Sequence, residues 1–448
     1  MITGLLVLGV LGCGDQAVSP GPYTWVDTAV ATAWDSPLQF GRGRPPTNVL
    51  MISIDTLRRD ALSPYGGDTP TPFFERMVAE GVSLDDHMQC SSWTFASTTC
   101  TLAGRYPEDL RYMPRLTKDQ DPLPAGTPML AHWMGEAGFT TRLQSNNAWL
   151  SEAWGNGRGY DEATKVSGIA EVTIPTAYDK IVAEADGPWF LHVHVTEPHA
   201  PYNPPVRFLD ALDDLAPVAF DLTDRDVHYD VNGNDYFDEL DAETKALVEA
   251  HLRVRYAGDV AWLDEQLTGV FATLDAAGAL DDTLVVLWTD HGEAFFEHGL
   301  QTHAHTLHPE ENDGVLLFWA KDLLEPVRWT GPTHAVDLVP TLLSLYAEEL
   351  PSEVTGVPLG SALPNRTRFA TVDARQGVIQ VVRRGDHALH LWWRTGDVQL
   401  FDRSVDPGEE NDLFRPDHPM VDELWPVMKE RVGALKPLVP SAPRLPLF

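Results

Sequence analysis

The apolar stretch NVLMISI (Asn48–Ile54), followed at once by Asp55, decides the fold. An apolar run of this length that ends on a carboxylate is typical of a strand buried on both faces. TLVVLWT (Thr283–Thr289) repeats the pattern and is followed by Asp290, and WFLHVHV (Trp189–Val195) is a third strand of this kind. Helical patterns separate the three strands. This alternation predicts an α/β fold in which helices cover both faces of a mostly parallel, mixed central sheet.

Further elements extend the pattern on both sides of these strands. We expect helices over 71–80, 130–138, 246–274 and 336–346, and strands over 139–144 and 315–319. From 367 to 401 the pattern changes to short stretches of alternating polarity separated by turn residues, which predicts a small antiparallel sheet. The predicted organisation is a main domain over 46–350, with an insertion at about 206–245, and a C-terminal subdomain over 366–432.

The charge of the chain limits its partners. Its 448 residues include 32 basic and 66 acidic side chains, a formal net charge of −34. A surface this acidic repels phosphate backbones, so we expect no nucleic-acid partner. A small anionic substrate needs a local positive charge that overrides the global field, and we therefore expect a bound metal ion. The sequence indicates no particular oligomeric state.

The N-terminal residues predict export. Residues 1–12 form a short apolar run typical of a signal peptide, and Val10, Leu11 and Gly12 before Cys13 resemble the lipobox of bacterial lipoproteins. Cleavage there leaves a tether over 13–45 that is rich in Gly, Pro, Ser and Thr. We therefore expect a protein of the cell envelope that associates with the membrane through lipidated Cys13. No later stretch reaches the roughly 20 apolar residues of a membrane-spanning helix.

Cysteines are few. Besides Cys13 the chain has Cys90 and Cys100, and no CxxC pair indicates a zinc site. Cys90 and Cys100 either form one bridge or are two small core residues; the sequence leaves both open.

Two carboxylates and a histidine fall where ligands bind in open α/β sheets, outside the carboxyl ends of the strands. Asp55 and Asp290 each follow a strand, and His291 comes directly after Asp290. Each alone could be a helix cap or a loop carboxylate. Together on one sheet edge, oxygen and imidazole ligands make a metal site plausible.

Seven stretches, in the same order along the chain, resemble the successive signatures of the sulfatase family within the alkaline-phosphatase superfamily. They cover about 46–415. The stretches are NVLMISIDTLRRD at 48–60, SSWTFASTTCTLAGRYP at 91–107, EPHAPYNPP at 197–205, YAGDVAWLDEQ at 256–266, TDHGEAFFEHG at 289–299, AVDLVPTL at 335–342 and LFDRSVDPGEENDL at 400–413.

The resemblance implies site residues position by position. It implies that Asp55, Asp290 and His291 bind one divalent metal ion, which the hard oxygen ligands and the imidazole allow to be Ca²⁺, Mg²⁺, Mn²⁺ or Zn²⁺. It also places Thr94 at the nucleophile position, where sulfatases convert a cysteine or serine to formylglycine. Threonine carries an extra methyl and cannot become that aldehyde, so no formylglycine is expected. The family's supporting arginine is Thr98 here.

The remaining pattern resembles the threonine-nucleophile branch of the superfamily. A bound divalent metal lowers the pKa of a coordinated hydroxyl, so that Thr94 could attack phosphorus and form a phosphothreonine. The resemblance implies that His199 faces the ester oxygens and can donate to the leaving group, and that His303, with His305 as its alternative in the alignment, contacts the anion. Asn146 or its neighbour Asn147 is expected to line the pocket.

DVNGNDYFDELD at 230–241 resembles a calcium loop of the EF-hand type. Glycine at loop position 6 is replaced by Asp235, and the last ligand is Asp rather than Glu. It is either an acidic surface insertion or a structural calcium clip. Its ligand positions 1, 3, 5, 9 and 12 are Asp230, Asn232, Asn234, Asp238 and Asp241.

Three functions agree with these residues. The first is a sulfatase-family metallohydrolase of sulfate or phosphate esters, in which the threonine favours phosphoester cleavage. The second is a transferase that moves a phosphoryl-alcohol group onto an envelope lipid or glycan. The third is a non-catalytic binding protein that has kept the fold. In each, the ligand is a small anionic ester or a glycan or lipid.

Overall fold

The structure, a computed structural model, describes residues 36–117, 119–219, 221–224, 240–361, 365–374, 376–439 and 443–446. The strands are β1 (Asn48–Ile54), β2 (Val82–Leu84), β3 (His87–Met88), β4 (Thr140–Ser145), β5 (Glu162–Lys165), β6 (Trp189–Val195), β7 (Thr283–Thr289), β8 (Ala294–Phe295), β9 (Gln301–Thr302), β10 (Leu316–Trp319), β11 (Val327–Trp329), β12 (Thr333–His334), β13 (Thr367–Ala374), β14 (Gly377–Arg384), β15 (His387–Trp392) and β16 (Val398–Asp402). The helices are α1 (Pro72–Glu80), α2 (Thr94–Ala103), α3 (Pro107–Leu110), α4 (Leu130–Glu136), α5 (Ala170–Glu184), α6 (Ala242–Ala276), α7 (Pro309–Asn312), α8 (Leu338–Tyr346) and α9 (Pro419–Leu435).

The central sheet is mixed and mostly parallel, which confirms the predicted fold class. Its strand order within the described residues is β11-β2-β10-β7-β1-β6-β4-β5. Only β10 runs against its neighbours there, β7 and β2; the other adjacent pairs are parallel. The strands β1 and β7, whose sequences predicted the fold, lie side by side at the centre.

Both faces of the sheet are buried, because β1 sends alternate side chains to opposite sides. Leu50 and Ile52 pack into one core with residues of α5 and α6. Val49 and Met51 pack into a second core with residues of α4 and α8. A strand covered on both sides has to be apolar throughout, which is why NVLMISI shows no alternation.

The C-terminal strands form a separate sheet, as predicted. β13, β14, β15 and β16 pair antiparallel in chain order. On one face Val382 and Leu389 pack against α9. On the other face Ile379 and Val381 belong to a cluster that includes Trp93, next to the first residue of α2. The subdomain is therefore in contact with the helix that carries Thr94.

The long helix α6 begins earlier than its apolar pattern predicts. Asp241 is its N-cap: one carboxylate oxygen accepts from the Thr244 N–H at 2.8 Å, and the other accepts from the Thr244 hydroxyl at 3.0 Å. This use of Asp241 at a helix N-terminus differs from the calcium-ligand position given to it above. Asp230, Asn232, Asn234 and Asp238 lie outside the described residues, so the calcium loop stays a prediction.

Residues 1–35, with the predicted signal peptide, Cys13 and most of the tether, also lie outside the described residues. In the part that the structure describes, no helix is long and apolar enough to cross a membrane. Cys90 and Cys100 form a disulfide with their Cα atoms 6.3 Å apart, which decides between the two alternatives that the sequence left open.

Candidate active site at the carboxyl edge of the sheet

Asp55 and Asp290 leave neighbouring strands at the same level of the sheet. The register pairs Ile54 of β1 with Thr289 of β7, so the two carboxylates follow directly after a matched pair. Both carboxylates and the adjacent His291 are fully buried. The structure thus brings together the three residues expected to bind a metal.

The turns after both strands are tight. Thr56 has a left-handed backbone, with φ of 55°, which a β-branched residue rarely adopts. Its N–H donates to Asp290 Oδ1 at 3.3 Å and so links the two strand ends. Gly292 passes so close to Glu310 that an added Cβ would lie 2.0 Å from the Glu310 carbonyl oxygen. These turns fix the directions in which the acidic side chains leave the sheet.

Thr94 is the first residue of α2, a buried helix that is rich in hydroxyl groups. Two of these hydroxyls are satisfied within the helix: Thr98 donates to the Thr94 carbonyl at 2.6 Å, and Thr101 donates to the Ser97 carbonyl at 2.7 Å. The Ser97 hydroxyl donates to the carbonyl of Asp290 at 2.5 Å. The start of α2 is therefore fastened to the end of β7.

Four polar atoms meet at this point. His291 Nε2 lies 3.3 Å from Thr94 Oγ1, 3.6 Å from Asp55 Oδ1 and 3.5 Å from Asp290 Oδ2. These two carboxylate oxygens are buried and have no hydrogen-bond partner among the described residues. Buried oxygens without a donor are costly, so the arrangement calls for a positive charge.

The donor set fits a divalent cation. Neighbouring ligands of a Ca²⁺ ion bound at 2.3–2.6 Å are about 3.3–3.7 Å apart, a range that includes all three distances. His291 Nδ1 lies 2.9 Å from the Gly292 carbonyl oxygen, to which it donates, so Nε2 of the neutral ring carries the lone pair. Burial, together with the nearby His303, lowers the pKa of His291 to about 3 and keeps that ring neutral.

The electrostatics of the two acids lead to the same conclusion. Burial and the Asp55 charge raise the pKa of Asp290 well above its usual range. Burial also opposes ionisation of Asp55, but His199, His194 and His291 hold the pKa of that carboxyl well below its usual range. Two buried carboxylates this close cannot both ionise freely unless a cation lies between them.

Asp55 is held from behind by neutral donors. Asn147 Nδ2 donates to Asp55 Oδ2 at 2.8 Å, and its amide orientation is fixed because Asn147 Oδ1 accepts from the Trp149 N–H at 2.9 Å. His194 Nε2 lies 3.4 Å from the same Asp55 oxygen. Asp55 Oδ2 is thus occupied, and Oδ1 faces His291.

A buried chain of hydrogen bonds continues from His194 away from the site. The Ser53 hydroxyl bridges His194 Nδ1 and His192 Nε2, each at 2.8 Å. His192 Nδ1 in turn lies 2.8 Å from the Tyr160 hydroxyl. None of these residues was predicted from the sequence. The signal was present in HVH of β6, where alternate residues share one face of the strand.

His199 and His303 lie together beside Asp55, Asp290 and His291, which we call the metal-ligand group. Their ring centroids are 5.1 Å apart, and the His303 ring is 4.5 Å from that of His291. The His303 side chain is 18% exposed, so the metal-ligand group is open to solvent on the side of His303. His303 Nδ1 donates to Glu293 Oε1 at 2.9 Å. Burial alone would lower the pKa of His303, but the Glu293 carboxylate raises it above its usual value.

The remaining two predicted residues make other contacts. His305 Nε2 lies 3.4 Å from the Thr302 hydroxyl, and the His305 backbone N–H donates to Glu311. Asn146 Nδ2 donates to the Gly168 carbonyl at 3.2 Å. Of His303 and His305, the structure therefore places His303 beside Asp55, Asp290 and His291. Of Asn146 and Asn147, it places Asn147 there. Glu293 was missed, although it lies two residues after His291 in TDHGE.

The sequence is similar to known proteins over most of its length. A family model described as Sulfatase matches residues 47–347. The choline-sulfatase of Rhizobium meliloti (strain 1021) is 24% identical over 446 aligned residues, which cover 85% of this chain and 84% of the other.

Solved structures share the fold at low sequence identity. BT4656 in complex with its substrate D-glucosamine-2-N,6-O-disulfate superimposes with a TM-score of 0.71 at 17% identity, over 88% of this chain and 99% of the other. The phosphonate monoester hydrolase SpPMH from Silicibacter pomeroyi superimposes with a TM-score of 0.66 at 20% identity, over 88% of this chain and 96% of the other.

Proposed function

Because the chain belongs to the sulfatase family, we propose that it is a metal-dependent hydrolase that favours phosphoesters over sulfate esters and uses Thr94 as its nucleophile. One observation carries the proposal: Thr94 Oγ1 lies 3.3 Å from His291 Nε2, within the group that contains the buried oxygens of Asp55 and Asp290.

Asp55, Asp290 and His291 would hold the divalent cation. When bound, the cation lowers the pKa of the hydroxyl beside it and offsets the charge of an anionic ester. Thr94 starts a helix of ten residues, so the positive end of that helix also faces the anion. These local charges act against the −34 net charge of the whole chain.

The proposed reaction has two steps. Thr94 Oγ1 gives up its proton to water and attacks phosphorus, the ester P–O bond breaks, and the leaving oxygen takes a proton from His199. Protonated His303, which Glu293 holds in place, donates to a non-bridging oxygen of the phosphoryl group. In the second step water attacks phosphorus, the bond between Thr94 Oγ1 and phosphorus breaks, Oγ1 takes up one proton of that water, and the phosphate leaves. His199 regains its proton from solvent.

Phosphoesters are favoured because of what Thr94 and Thr98 lack. A threonine hydroxyl cannot collapse to an aldehyde and expel sulfate, as the hydrate of formylglycine does. At the position where sulfatases carry the supporting arginine, Thr98 bonds to the Thr94 carbonyl and accepts from Asn156 Nδ2 at 2.8 Å. Its neutral hydroxyl supplies no cation for a sulfate group.

An activity panel tests the proposal. Nitrophenyl sulfate, a nitrophenyl phosphate monoester and a nitrophenyl phosphodiester are each assayed with Ca²⁺, Mg²⁺, Mn²⁺ and Zn²⁺. We expect phosphoester turnover that is abolished by chelation and restored by adding the cation. Thr94→Val keeps the shape of the side chain and removes the hydroxyl, so the rate should fall by about 10³-fold or more. Thr94→Ser should keep measurable activity.

Thr101→Val is the matched control. Thr101 is a buried threonine of the same helix, and its hydroxyl donates to the Ser97 carbonyl within α2. This variant should keep phosphoesterase activity. Sulfate turnover that survives Thr94→Val would refute the assigned nucleophile, and a chain without activity on any of the three esters would favour the non-catalytic alternative.

We also propose that the chain works in an oxidising, extracytoplasmic compartment. The Cys90–Cys100 disulfide supports this, since such bonds persist mainly outside the cytosol. Fractionation of cells with labelled fatty acid tests it: we expect label on the membrane-associated wild type and none on Cys13→Ser. A cytosolic, unlabelled wild type would contradict the proposal.

A further inference from the structure

A second group of metal-type ligands lies away from Asp55, where the C-terminal sheet meets the main domain. It consists of His308, His390 and Glu409, whose ligand atoms all lie within 4.8 Å of one another. All three are buried. His308 directly precedes α7, His390 is in the middle of β15, and Glu409 follows β16. Three segments that are distant in sequence therefore converge on one point.

Glu409 is the centre of the group. Its Oε2 lies 2.8 Å from His308 Nδ1 and 2.9 Å from His390 Nε2. Its other oxygen, Oε1, faces Arg403 Nε at 3.3 Å, and Arg403 also pairs with Asp313 at 2.5 Å. Arg403 orients the Glu409 carboxylate through Oε1 and leaves Oε2 between the two imidazoles. Carboxylates that bind metal ions are commonly held in place by hydrogen bonds of this kind.

His308 Nδ1 is hydrogen-bonded to Glu409 Oε2, but in the part of the chain that the structure describes a ring nitrogen of His390 is left without a partner. Among the described residues, Nδ1 of fully buried His390 has no hydrogen-bond partner. A neutral buried imidazole without a partner is costly unless a ligand occupies it.

A third ring lies beside the other two. The His298 ring stacks on that of His308 with centroids 3.7 Å apart and planes 13° apart. His298 Nε2 lies 3.7 Å from Glu310 Oε1, a buried oxygen that also has no hydrogen-bond partner among the described residues. His298 Nε2 also donates to the Gly408 carbonyl at 3.1 Å, so this ring packs on the group without belonging to its ligand set.

We propose that His308, His390 and Glu409 form a structural zinc site, separate from the catalytic cation, that clamps the C-terminal sheet onto the main domain. Two imidazoles and one carboxylate are a ligand set that Zn²⁺ accepts, whereas Ca²⁺ and Mg²⁺ favour sites in which oxygen ligands outnumber nitrogen ligands. The clamp would steady the segment 294–302, which leads to His303. The proposed zinc site does not depend on the proposed ester hydrolysis.

Metal content and thermal stability of the full chain, purified without a histidine tag, test the zinc site. The protein is stripped with chelator, supplied with Zn²⁺, desalted and analysed by mass spectrometry of the metal, with Tm measured by calorimetry. We expect the wild type to retain zinc and to melt about 2–5 °C higher than the stripped protein. His390→Gln and Glu409→Gln should each lose one zinc equivalent and this rise in Tm.

Asp290→Asn is the control, because it removes a ligand of the catalytic site only. It should retain the zinc that His390→Gln loses. If both Gln variants fail to fold, Co²⁺ bound to the wild type gives the answer: we expect the visible absorption of a cobalt ion with nitrogen ligands, and it should persist in Asp290→Asn. Zinc retained equally by His390→Gln, or a cobalt spectrum that vanishes in Asp290→Asn, would show that the cluster is a hydrogen-bonded network only.

Discussion

Asn147→Ala tests how the candidate cation site is held. Asn147 Nδ2 donates to Asp55 Oδ2 at 2.8 Å and has no charge of its own, so its contribution is to orient the carboxylate. A hydrogen bond to a charged group contributes about 1.5–3 kcal/mol. Removing groups that orient metal ligands typically costs about 10- to 100-fold in metal affinity or activity. We expect the cation concentration for half-maximal activity to rise by that factor.

The assay is a titration of chelator-stripped enzyme with the activating cation, followed by phosphoester turnover. At saturating cation, the rate of Asn147→Ala should approach that of the wild type, because Asp55, Asp290 and His291 are still present. The substitution also removes the contact between Asn147 Oδ1 and the Trp149 N–H. Thermal unfolding of the cation-free variant therefore serves as a check, since a Tm equal to that of the wild type shows that the loop is still folded.

The neighbouring residue provides the control. Asn146 donates to the Gly168 carbonyl instead, so Asn146→Ala should leave the half-maximal cation concentration unchanged. An unchanged value in Asn147→Ala, or an equal rise in both variants, would refute the reasoning that Asn147 positions Asp55.

Three further perturbations follow from the described contacts. Glu293→Gln removes the carboxylate that raises the pKa of His303. Because the imidazolium of His303 exists only below its pKa, the alkaline limb of the pH profile of kcat should move to lower pH. An alkaline limb that does not move would be evidence against the pairing of Glu293 with His303. Replacing Cys90 and Cys100 by Ser opens a bridge with a separation of 10 residues, so urea unfolding should show a loss of about 2–3 kcal/mol, and equal midpoints with and without reductant in the wild type would contradict it. Asp313→Asn leaves its three arginines without their shared carboxylate, and the free energy of unfolding should fall by about 3–5 kcal/mol. Burial opposes ionisation of Asp313, but the three arginines hold its pKa well below the usual range. The stabilisation by Asp313 is therefore present above the pKa that this carboxyl has in the unfolded chain, and it is lost as the pH falls through the pKa of the folded state. Acid unfolding that is identical in Asp313→Asn and the wild type would exclude this stabilisation.

The fold could be predicted because its central strands are buried on both faces. Such strands are apolar along their whole length, and the position of Asp55 and Asp290 directly after them fixes both carboxylates at one sheet edge. The two-residue strands β3 and β12 gave no such signal, because their pairing is decided by neighbours that are distant in sequence.

The site could be predicted only in part. The choice between Asn146 and Asn147 depends on which amide the loop turns toward Asp55, and the Trp149 N–H contact that decides it is not visible as a pattern. Groups brought together by tertiary packing were also missed. His390 and Glu409 come from the C-terminal sheet and meet His308 only because that sheet packs on the main domain.

The most direct measurement is to stop a reaction with excess nitrophenyl phosphodiester in acid and to analyse the peptide that contains 94–103 by mass spectrometry. We expect a phosphoryl ester adduct on Thr94 in the wild type, and neither adduct nor turnover in Thr94→Val. Turnover at the wild-type rate in Thr94→Val, or an adduct on any other side chain, would contradict the assignment of Thr94 as the nucleophile.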